Sequence, residues 1–335
     1  MKRKLPQNLS VGAALIIVLV IILLLAGGFL SPQAARTATI QDFGEVKTLP
    51  DGTKYIVHPS ELLAGGPAKG GIGFDRGIPA LLNPKFTSAG EADWLSDDDM
   101  VLGLEYNGAV KAYPFRILNW HEIANDDVNG EPVLITYCPL CRTGIAFKRT
   151  IDGVTYNFGT SGKLWNANLV MYDDKTDTYW SQVIGQAIIG PLAGTKLEPI
   201  HLEAVKWKDW KKAHTDILVL SKDTGIRRDY DADPYADFAK SDFVGFGVDF
   251  SDTRLGPKEI VYGVIVGNTT KAYPENISKE KLEISDDVGG MKITVLWDKE
   301  INGVKIFDES GERISSFGSY WFSWLTAHPE TELYK

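Results

Sequence analysis

VLGLEYNGAVKAYP, at residues 101–114, and VYGVIVGNTTKAYP, at residues 261–274, begin with Val-X-Gly and end in the same Lys-Ala-Tyr-Pro. The match continues without a gap, since Asp126-Asp127-Val128 in the first stretch corresponds to Asp286-Asp287-Val288 in the second. A gapless match of this length indicates that one structural unit occurs twice. The sequence therefore predicts two related modules that arose by internal duplication.

The two copies also share the signals that follow. Each has a turn dipeptide before an apolar strand, Asn129-Gly130 before Val133–Tyr137 and Gly289-Gly290 before the strand at 293–297. Each copy then ends in two Trp residues three positions apart and a terminal His, which are Trp207, Trp210 and His214 in the first and Trp321, Trp324 and His328 in the second. We expect each Trp pair to lie on a short helix packed on a sheet.

Frequent Gly, many Trp and Tyr, and the lack of a long helical period after residue 41 predict a mainly β body with a few short helices, a β-rich α+β fold. We divide the chain into a basic tip at 1–10, an anchor at 11–30, a stalk at 31–54, an irregular lead-in at 55–100, a first β module at 101–220, a linker at 221–260 and a second, shorter β module at 261–335.

The N-terminal segment has the pattern of a membrane anchor. Lys2, Arg3 and Lys4 precede an uncharged apolar run from Val11 to Leu30, long enough for a transmembrane helix. Basic residues before the run place the N-terminus in the cytoplasm and the body outside it, as a single-pass protein of the cell membrane. A secretory signal cleaved near Ala35 or Ala38 is the alternative.

The excess of acidic over basic residues argues against one class of partner. The chain has 44 Asp and Glu against 35 Lys and Arg, and three of the cations lie at the tip. An acidic body is a poor match for phosphate backbones, so we expect no nucleic-acid partner. The predicted partner is the membrane, through the N-terminal helix, and the sequence indicates no particular protein partner.

Features shared by both copies belong to the scaffold, whereas features in one copy are candidates for function. The first copy alone continues its strand into Cys138-Pro139-Leu140-Cys141 and has a long insertion at about 138–200. His121 also belongs only to the first copy, because Lys281 stands at the equivalent position. We expect this material to build the functional site.

Three interpretations of the two cysteines stay open. Together with His121 they suit a thiophilic metal, copper or zinc. A Cys-Pro-X-Cys loop is also found in thiol–disulfide oxidoreductases, although here Gly144 leads into a strand rather than a helix, so that Arg142 is the nearby positive charge. The third interpretation is a structural disulfide or a pair of buried thiols, in a non-catalytic surface or interaction module.

The segment around the cysteines resembles a known family. The residues that carry the resemblance are Trp120-His-Glu-Ile123, Tyr137-Cys-Pro-Leu-Cys-Arg-Thr-Gly-Ile-Ala-Phe147, Ser161-Gly162, Met171-Tyr-Asp173, Thr176, Trp180-Ser-Gln182, Gly190 and Leu192-Ala-Gly194. They are similar to the uncharacterised prokaryotic family named domain of unknown function 3179, over residues 55 to 334. The resemblance implies an exported or membrane-anchored protein and implies no reaction.

Our hypothesis from sequence is a metal site, with copper favoured and a link to redox chemistry, whose ligands are Cys138, Cys141 and His121. The walls of that site are predicted to be Trp120, Tyr137, Arg142, Trp165 and Trp180. Whether the protein is an enzyme is left open by the sequence.

Overall fold

The computed structural model describes residues 44–73 and 76–335. The predicted tip and anchor, and most of the predicted stalk, lie outside the described residues. Between residues 44 and 335, leaving aside residues 74 and 75, no helix combines the length and apolar character needed to cross a membrane. Strands dominate this part of the chain and its helices are short, which confirms the mainly β prediction.

Five short strands precede the first module: β1 (Lys47–Thr48), β2 (Lys54–Tyr55), β3 (Leu63–Ala64), β4 (Leu81–Leu82) and β5 (Phe86–Ser88). The first module then consists of β6 (Met100–Tyr106), β7 (Ala109–Pro114), α1 (Phe115–His121), β8 (Ile123–Val128), β9 (Glu131–Cys138), β10 (Thr143–Lys148), β11 (Thr150–Ile151), β12 (Val154–Thr155), β13 (Phe158–Trp165), β14 (Asn168–Asp173), β15 (Tyr179–Ser181), β16 (Gln186–Ile189), β17 (Pro199–Ile200), β18 (Glu203–Lys206), α2 (Trp207–Ala213) and β19 (Leu218–Leu220).

These strands form three main sheets and one small hairpin. One five-stranded sheet has the order β18-β6-β7-β19-β5, and a second has the order β17-β10-β9-β8-β4. Most of the insertion forms a seven-stranded sheet, β1-β2-β16-β15-β14-β13-β3, and β11 pairs with β12 alone. The early strands β2 to β5 thus complete the sheets of the first module.

The helix α3 (Ala236–Lys240) lies in the predicted linker, and the second module follows. Its elements are β20 (Ile260–Val266), β21 (Thr269–Pro274), α4 (Glu275–Lys281), β22 (Glu283–Val288), β23 (Met291–Asp298), β24 (Gly303–Asp308), β25 (Phe317–Tyr320), α5 (Trp321–Ala327) and β26 (Glu332–Leu333). They form the sheets β25-β20-β21-β26 and β22-β23-β24.

The two modules have the same strand pairing. β18 and β25 are antiparallel to β6 and β20, and β19 and β26 are parallel to β7 and β21. The turn dipeptides also adopt the same backbone, with positive φ at both Asn129-Gly130 and Gly289-Gly290, as tight hairpin turns require. The predicted equivalence of the two stretches therefore extends to their topology.

Two side-chain clusters recur in both modules. Lys111 and Tyr113 bind the Asp126 carboxylate at 2.7 and 2.6 Å, and the equivalent Lys271 and Tyr273 both bind Asp286 at 2.8 Å. This explains why the Lys-Ala-Tyr-Pro and Asp-Asp-Val segments occur twice. A lysine and a carboxylate that are removed from water each require a partner of opposite charge. In each module the lysine and the aspartate are partners of one another.

The second recurring cluster is aromatic. Trp210 packs against His214 with ring centroids 3.9 Å apart, and Trp324 packs against His328 at 4.2 Å, with the ring planes inclined by 44° in both pairs. A β-carbon at Gly103 would collide with the Trp210 ring, as one at Gly263 would with Trp324. Each module thus keeps a glycine in its first strand so that the indole can lie flat on the sheet.

Candidate functional site

The two cysteines lie at the hairpin turn between β9 and β10. Cys138 ends β9, and the Cys141 N–H donates to the Cys138 carbonyl oxygen at 3.2 Å. Arg142 has φ of 56°, which turns the chain into β10. The two Sγ atoms are 3.0 Å apart, and both residues are free thiols. Cys138 is 2% exposed and Cys141 is 0% exposed, so the pair is enclosed.

The Cys141 sulfur has partners for both of its protonation states. As a thiol it donates to the Ala167 carbonyl oxygen at 3.0 Å, and the Asn168 Nδ2 donates to the sulfur at 3.3 Å. The buried Ser323 hydroxyl makes no hydrogen bond among the described residues, and its proximity to the Cys141 sulfur lowers the pKa of that thiol. A neutral buried thiol needs an acceptor alone, whereas donors aimed at the sulfur stabilise a thiolate.

Electrostatics separate the two thiols. Burial raises the pKa of Cys138 well above its usual value, and the hydrogen bond that its thiol gives to Cys141 acts in the same direction. Burial would also raise the pKa of Cys141, but hydrogen bonds from Cys138 and Asn168, together with the nearby Ser323 hydroxyl, outweigh it and lower that pKa. Of the two thiols, Cys141 is therefore the one that ionises more readily, with Cys138 as its hydrogen-bond donor.

A buried amide network holds Asn168 in place. Its Nδ2 also donates to the Gln182 Oε1 at 2.9 Å, and its Oδ1 accepts from the Val183 N–H at 3.1 Å. Gln182 in turn donates to Thr136 Oγ1 and to the Thr143 carbonyl oxygen, at 3.1 and 2.9 Å. The insertion thereby holds the Asn168 side chain in a position to donate to the Cys141 sulfur. The side-chain amides that hold it all have hydrogen-bond partners.

Sequence reasoning missed Glu122, a buried carboxyl group beside the pair. Glu122 follows α1 with φ of 57° and is 7% exposed. Burial raises its pKa to about 7, although a 3.3 Å hydrogen bond from the Tyr235 hydroxyl acts against that rise. Its charge also raises the pKa of both cysteines. The gapless match could have identified Glu122, because the second copy has Leu282 at the equivalent position. A carboxyl group there is therefore found only in the first copy.

His121 is fully buried, and other partners use both of its ring nitrogens. Nδ1 lies 2.7 Å from the Pro79 carbonyl oxygen, and Nε2 lies 2.7 Å from the Tyr230 hydroxyl. Residues 44–73 and 76–335 contain no cluster of three or more His, Cys, Asp or Glu that is arranged to hold a metal ion. His121 ties α1 to the segment before β4 and to the linker.

The predicted wall residues are dispersed. Trp180 lies in the same apolar cluster as both cysteines and donates its indole N–H to Asp173 at 3.0 Å. Tyr137 belongs to the cluster on the other face of β9, where its ring lies 4.3 Å from that of Phe115.

The two other aromatic wall residues, Trp165 and Trp120, make their contacts away from the cysteine turn. Arg142 directly follows Cys141 in the chain. The Trp165 indole N–H points to Glu61 at 3.4 Å, and that of Trp120 donates to the Ala232 carbonyl oxygen at 3.2 Å. Arg142 is half-buried, and its charge lowers the pKa of Tyr137 and Tyr320 against the effect of burial.

The predicted linker and the second module cover the pair. Tyr235, Phe238 and Phe246 of the linker pack against the apolar cluster that contains both cysteines. The Tyr320 N–H of the second module donates to the Cys141 carbonyl oxygen at 2.9 Å. The site therefore lies between the two modules rather than within the first alone.

The comparisons with known proteins are consistent with the resemblance found in the sequence. A family model described as protein of unknown function (DUF3179) matches residues 75–331. No curated protein and no solved structure matches the chain.

Proposed function

This chain belongs to the family described as protein of unknown function (DUF3179), a description that assigns no reaction, and we propose that its Cys138–Cys141 pair is a thiol–disulfide redox centre. The observation that carries the proposal is the environment of the Cys141 sulfur. It has an acceptor for its proton in the Ala167 carbonyl oxygen, a donor for its thiolate in Asn168 and, nearby, the Ser323 hydroxyl, which is unpaired among the described residues. Stabilised thiolates are the attacking groups in disulfide exchange.

The reaction requires a disulfide of a partner as the oxidant. The Cys141 thiolate attacks one partner sulfur, which forms a mixed disulfide and releases the first partner thiolate. Cys138 then loses its proton and attacks the Cys141 sulfur, which releases the second partner thiolate. Two electrons pass to the partner, and the pair becomes a disulfide.

A surface cleft of about 940 Å³ is lined by close chain neighbours of Ala167 and Ser323, two residues that approach the Cys141 sulfur. Trp165 and Asn166, which directly precede Ala167, line one part of it, and Leu325 and Thr326, two and three residues after Ser323 in α5, line another. Because both cysteines are enclosed, exchange requires a local opening, and this cleft is where we expect a partner segment to enter.

Equilibration of the full chain in buffers of reduced and oxidised dithiothreitol tests the proposal, with alkylation and mass spectrometry as the measurement. We expect reversible loss of two hydrogen atoms from the pair, and a persistent mixed disulfide in Cys138→Ser with a disulfide partner. A pair that stays reduced in excess oxidant would refute the proposal, as would a disulfide that resists reduction and raises the melting temperature. The second outcome would support the structural-disulfide alternative.

Binding of copper or zinc at Cys138, Cys141 and His121 stays a prediction. Two thiolates on one tetrahedral zinc ion are separated by roughly 3.8 Å, from Zn–S bonds of about 2.3 Å. The sulfurs would therefore move apart from their 3.0 Å separation, and His121 would exchange Pro79 or Tyr230 for the metal. Elemental analysis of protein purified without added metal, with Cys138→Ser and His121→Ala, tests this: stoichiometric metal lost in both variants supports it.

We also propose that residues 11–30 anchor the body outside the cytoplasm, where disulfide exchange commonly serves protein maturation. Protease treatment of intact cells from which the outer layers are removed should cleave the body and spare the tip. We infer in addition that the modules arose by duplication. The shared topology and the paired Lys111–Asp126 and Lys271–Asp286 clusters support that origin.

A further inference from the structure

Residues 226–244 of the predicted linker form a cover over α1 and over the cysteine pair. Tyr235 and Phe238 of this segment pack against the apolar cluster that contains Cys138 and Cys141. Both rings are half-buried, whereas the two cysteines are enclosed, so the rings lie between part of that cluster and solvent. We call residues 226–244 the lid.

The lid is attached to the rest of the molecule by side chains and not by its main chain. Its main-chain hydrogen bonds are internal, such as that from the Ala236 N–H to the Asp233 carbonyl oxygen at 3.3 Å. Within the described part of the chain, no hydrogen bond between main-chain atoms joins the lid to other residues, and no lid residue belongs to a sheet. By contrast, β25 of the second module pairs with β20, and its Tyr320 N–H donates to the Cys141 carbonyl oxygen. Of the two segments that cover the pair, the lid therefore separates with fewer main-chain hydrogen bonds broken.

Side-chain contacts hold the lid on one face of α1. The Asn119 Nδ2 donates to the Asp233 Oδ1 at 2.9 Å, and the Trp120 indole N–H donates to the Ala232 carbonyl oxygen at 3.2 Å. Arg116, one turn earlier on α1, forms a 3.3 Å ion pair with a further lid aspartate. Residues three and four apart lie on the same face of a helix, so these contacts form one row along α1.

The second module shows that the helix does not need this cover. Its α4 is the counterpart of α1, and Asn276, Lys279 and Glu280 stand where α1 makes its three contacts with the lid. All three residues are exposed. The helix therefore holds its place in this fold with its outer face in water, and lifting the lid does not require α1 to unfold.

The backbone has positive φ at both ends of the lid. Gly225 directly precedes the lid with φ of 75°, and Gly245, Phe246 and Gly247 directly follow it with φ of 64°, 54° and 73°. Glycine adopts both signs of φ at little cost, so the chain can rotate at these two points. A positive φ is uncommon for phenylalanine and costs energy, so Phe246 gains if its backbone relaxes. The ends of the lid therefore have the backbone expected of hinges.

We propose that the lid is the gate of the cysteine pair, and that it lifts from α1 about hinges at Gly225 and at residues 245–247 while both modules stay folded. The open lid admits the disulfide of a partner to the Cys141 sulfur, and the closed lid shields both thiols. This use of the gate rests on the proposed redox function. Phe246 and Gly247 also line the surface cleft, so a partner segment in the cleft contacts the second hinge.

Alkylation of the full chain with N-ethylmaleimide, followed by mass spectrometry, measures how often the pair is exposed. The chain has two cysteines, so every addition to a thiol reports on this pair. Asp233→Ala removes the acceptor of the Asn119 amide and should speed alkylation about tenfold, as the loss of one hydrogen bond to a charged group predicts. Phe238→Ala removes a covering ring and should also speed alkylation.

Asp237→Ala is the matched control, because Asp237 is an exposed lid aspartate in the first turn of α3 that makes no hydrogen bond or ion pair with α1 in the described chain. It should leave the alkylation rate unchanged. Urea separates lid opening from unfolding of the whole chain. At low urea concentrations the wild-type rate should change little, since lifting the lid exposes far less surface than unfolding does.

Two results would overturn the lid as the gate. One is a wild-type alkylation rate that rises with urea as steeply as global unfolding. The other is the same rate in Asp233→Ala, Phe238→Ala and Asp237→Ala. Amide hydrogen exchange of the wild-type chain tests the opening without a substitution: the hydrogen-bonded amides of α3 should exchange well before those of β9, and equal protection would contradict the proposal.

The gate and the redox function fail separately, because alkylation requires no disulfide. A pair that is alkylated through lid opening but does not exchange with oxidised dithiothreitol would refute the redox function and leave the lid in place. A pair that exchanges, but is reached only as the whole chain unfolds, would refute the lid.

Discussion

The turn after β9 and the turn after β23 have the same backbone and different chemistry. Arg142 and Asn302 have φ of 56° and 49° at equivalent positions. Where the first turn has Cys138, the second has Asp298, whose carboxylate accepts from Lys305 at 2.6 Å and from the Glu300 N–H at 2.8 Å. Because a carboxylate can complete the same hairpin, the hairpin does not need cysteines. The cysteines are therefore additions to a scaffold that forms without them.

The modules also differ in how they support each other. The second module contributes the Tyr320 N–H and the Ser323 hydroxyl to the Cys141 turn of the first. The corresponding Ile301 turn is lined by apolar groups, with Val205 close by. One module thus carries the reactive groups, and the other completes their enclosure.

The largest effect should come from the aromatic cluster that both modules share. Trp210→Ala and Trp324→Ala should each lower the free energy of unfolding by about 3–5 kcal/mol, because each leaves a large buried cavity beside a histidine ring. Urea unfolding of the two variants measures this. Trp120→Ala, at a half-buried position, is the control and should cost less. Very unequal losses of unfolding free energy in Trp210→Ala and Trp324→Ala would contradict the structural equivalence of the two Trp positions.

A smaller effect is expected on how the free energy of unfolding depends on pH, when Glu122 is replaced by the leucine that the second module has at the equivalent position 282. The folded state holds the Glu122 proton more tightly than the unfolded state, since burial raises its pKa from 4.5 to about 7. That contribution to stability is present below about pH 4.5 and is lost as the pH rises through about 7, at a cost of about 3 kcal/mol. Relative to wild type, Glu122→Leu should therefore gain stability by that amount over this range, as urea unfolding at several pH values would show.

If the stability difference between Glu122→Leu and wild type stays constant across that range, Glu122 is not a buried titrating group. Glu275→Leu serves as the matched substitution in the second module. Glu275 is half-buried at the start of α4, so this substitution controls for the exchange of a carboxyl group for leucine beside a helix.

The smallest effect should be a shift in the pKa of the Cys141 thiol. Asn168→Ala in a Cys138→Ser background removes one donor to the Cys141 sulfur and should raise the pKa of Cys141 by roughly one unit or less, the worth of one hydrogen bond of about 1 kcal/mol. The ultraviolet absorbance of the thiolate against pH measures the shift. Ser323→Ala should move the pKa in the same direction, and an unchanged or lowered pKa in both would remove the basis for a stabilised thiolate.

Much of the fold followed from local patterns. The Lys-Ala-Tyr-Pro repeat, the Asn129-Gly130 turn and the Trp pair at 207 and 210 each depend on neighbours within a few residues or on a directly paired strand. Periodicity and turn chemistry therefore predicted the strands and helices they form. The lead-in strands were missed because strands of two or three residues have too few positions to show an alternating pattern.

By itself, the sequence determined the β-rich class, and it predicted two related modules and a functional site at the cysteine turn. Only the tertiary structure decided which side chains meet there. His121 pairs with Pro79 and Tyr230, and Cys141 with Asn168, across long stretches of chain. Such contacts follow no local period, because they depend on how separate sheets pack. Glu122 acquires its raised pKa in the same way, since burial is a property of the packed molecule and not of the residues beside it in the chain.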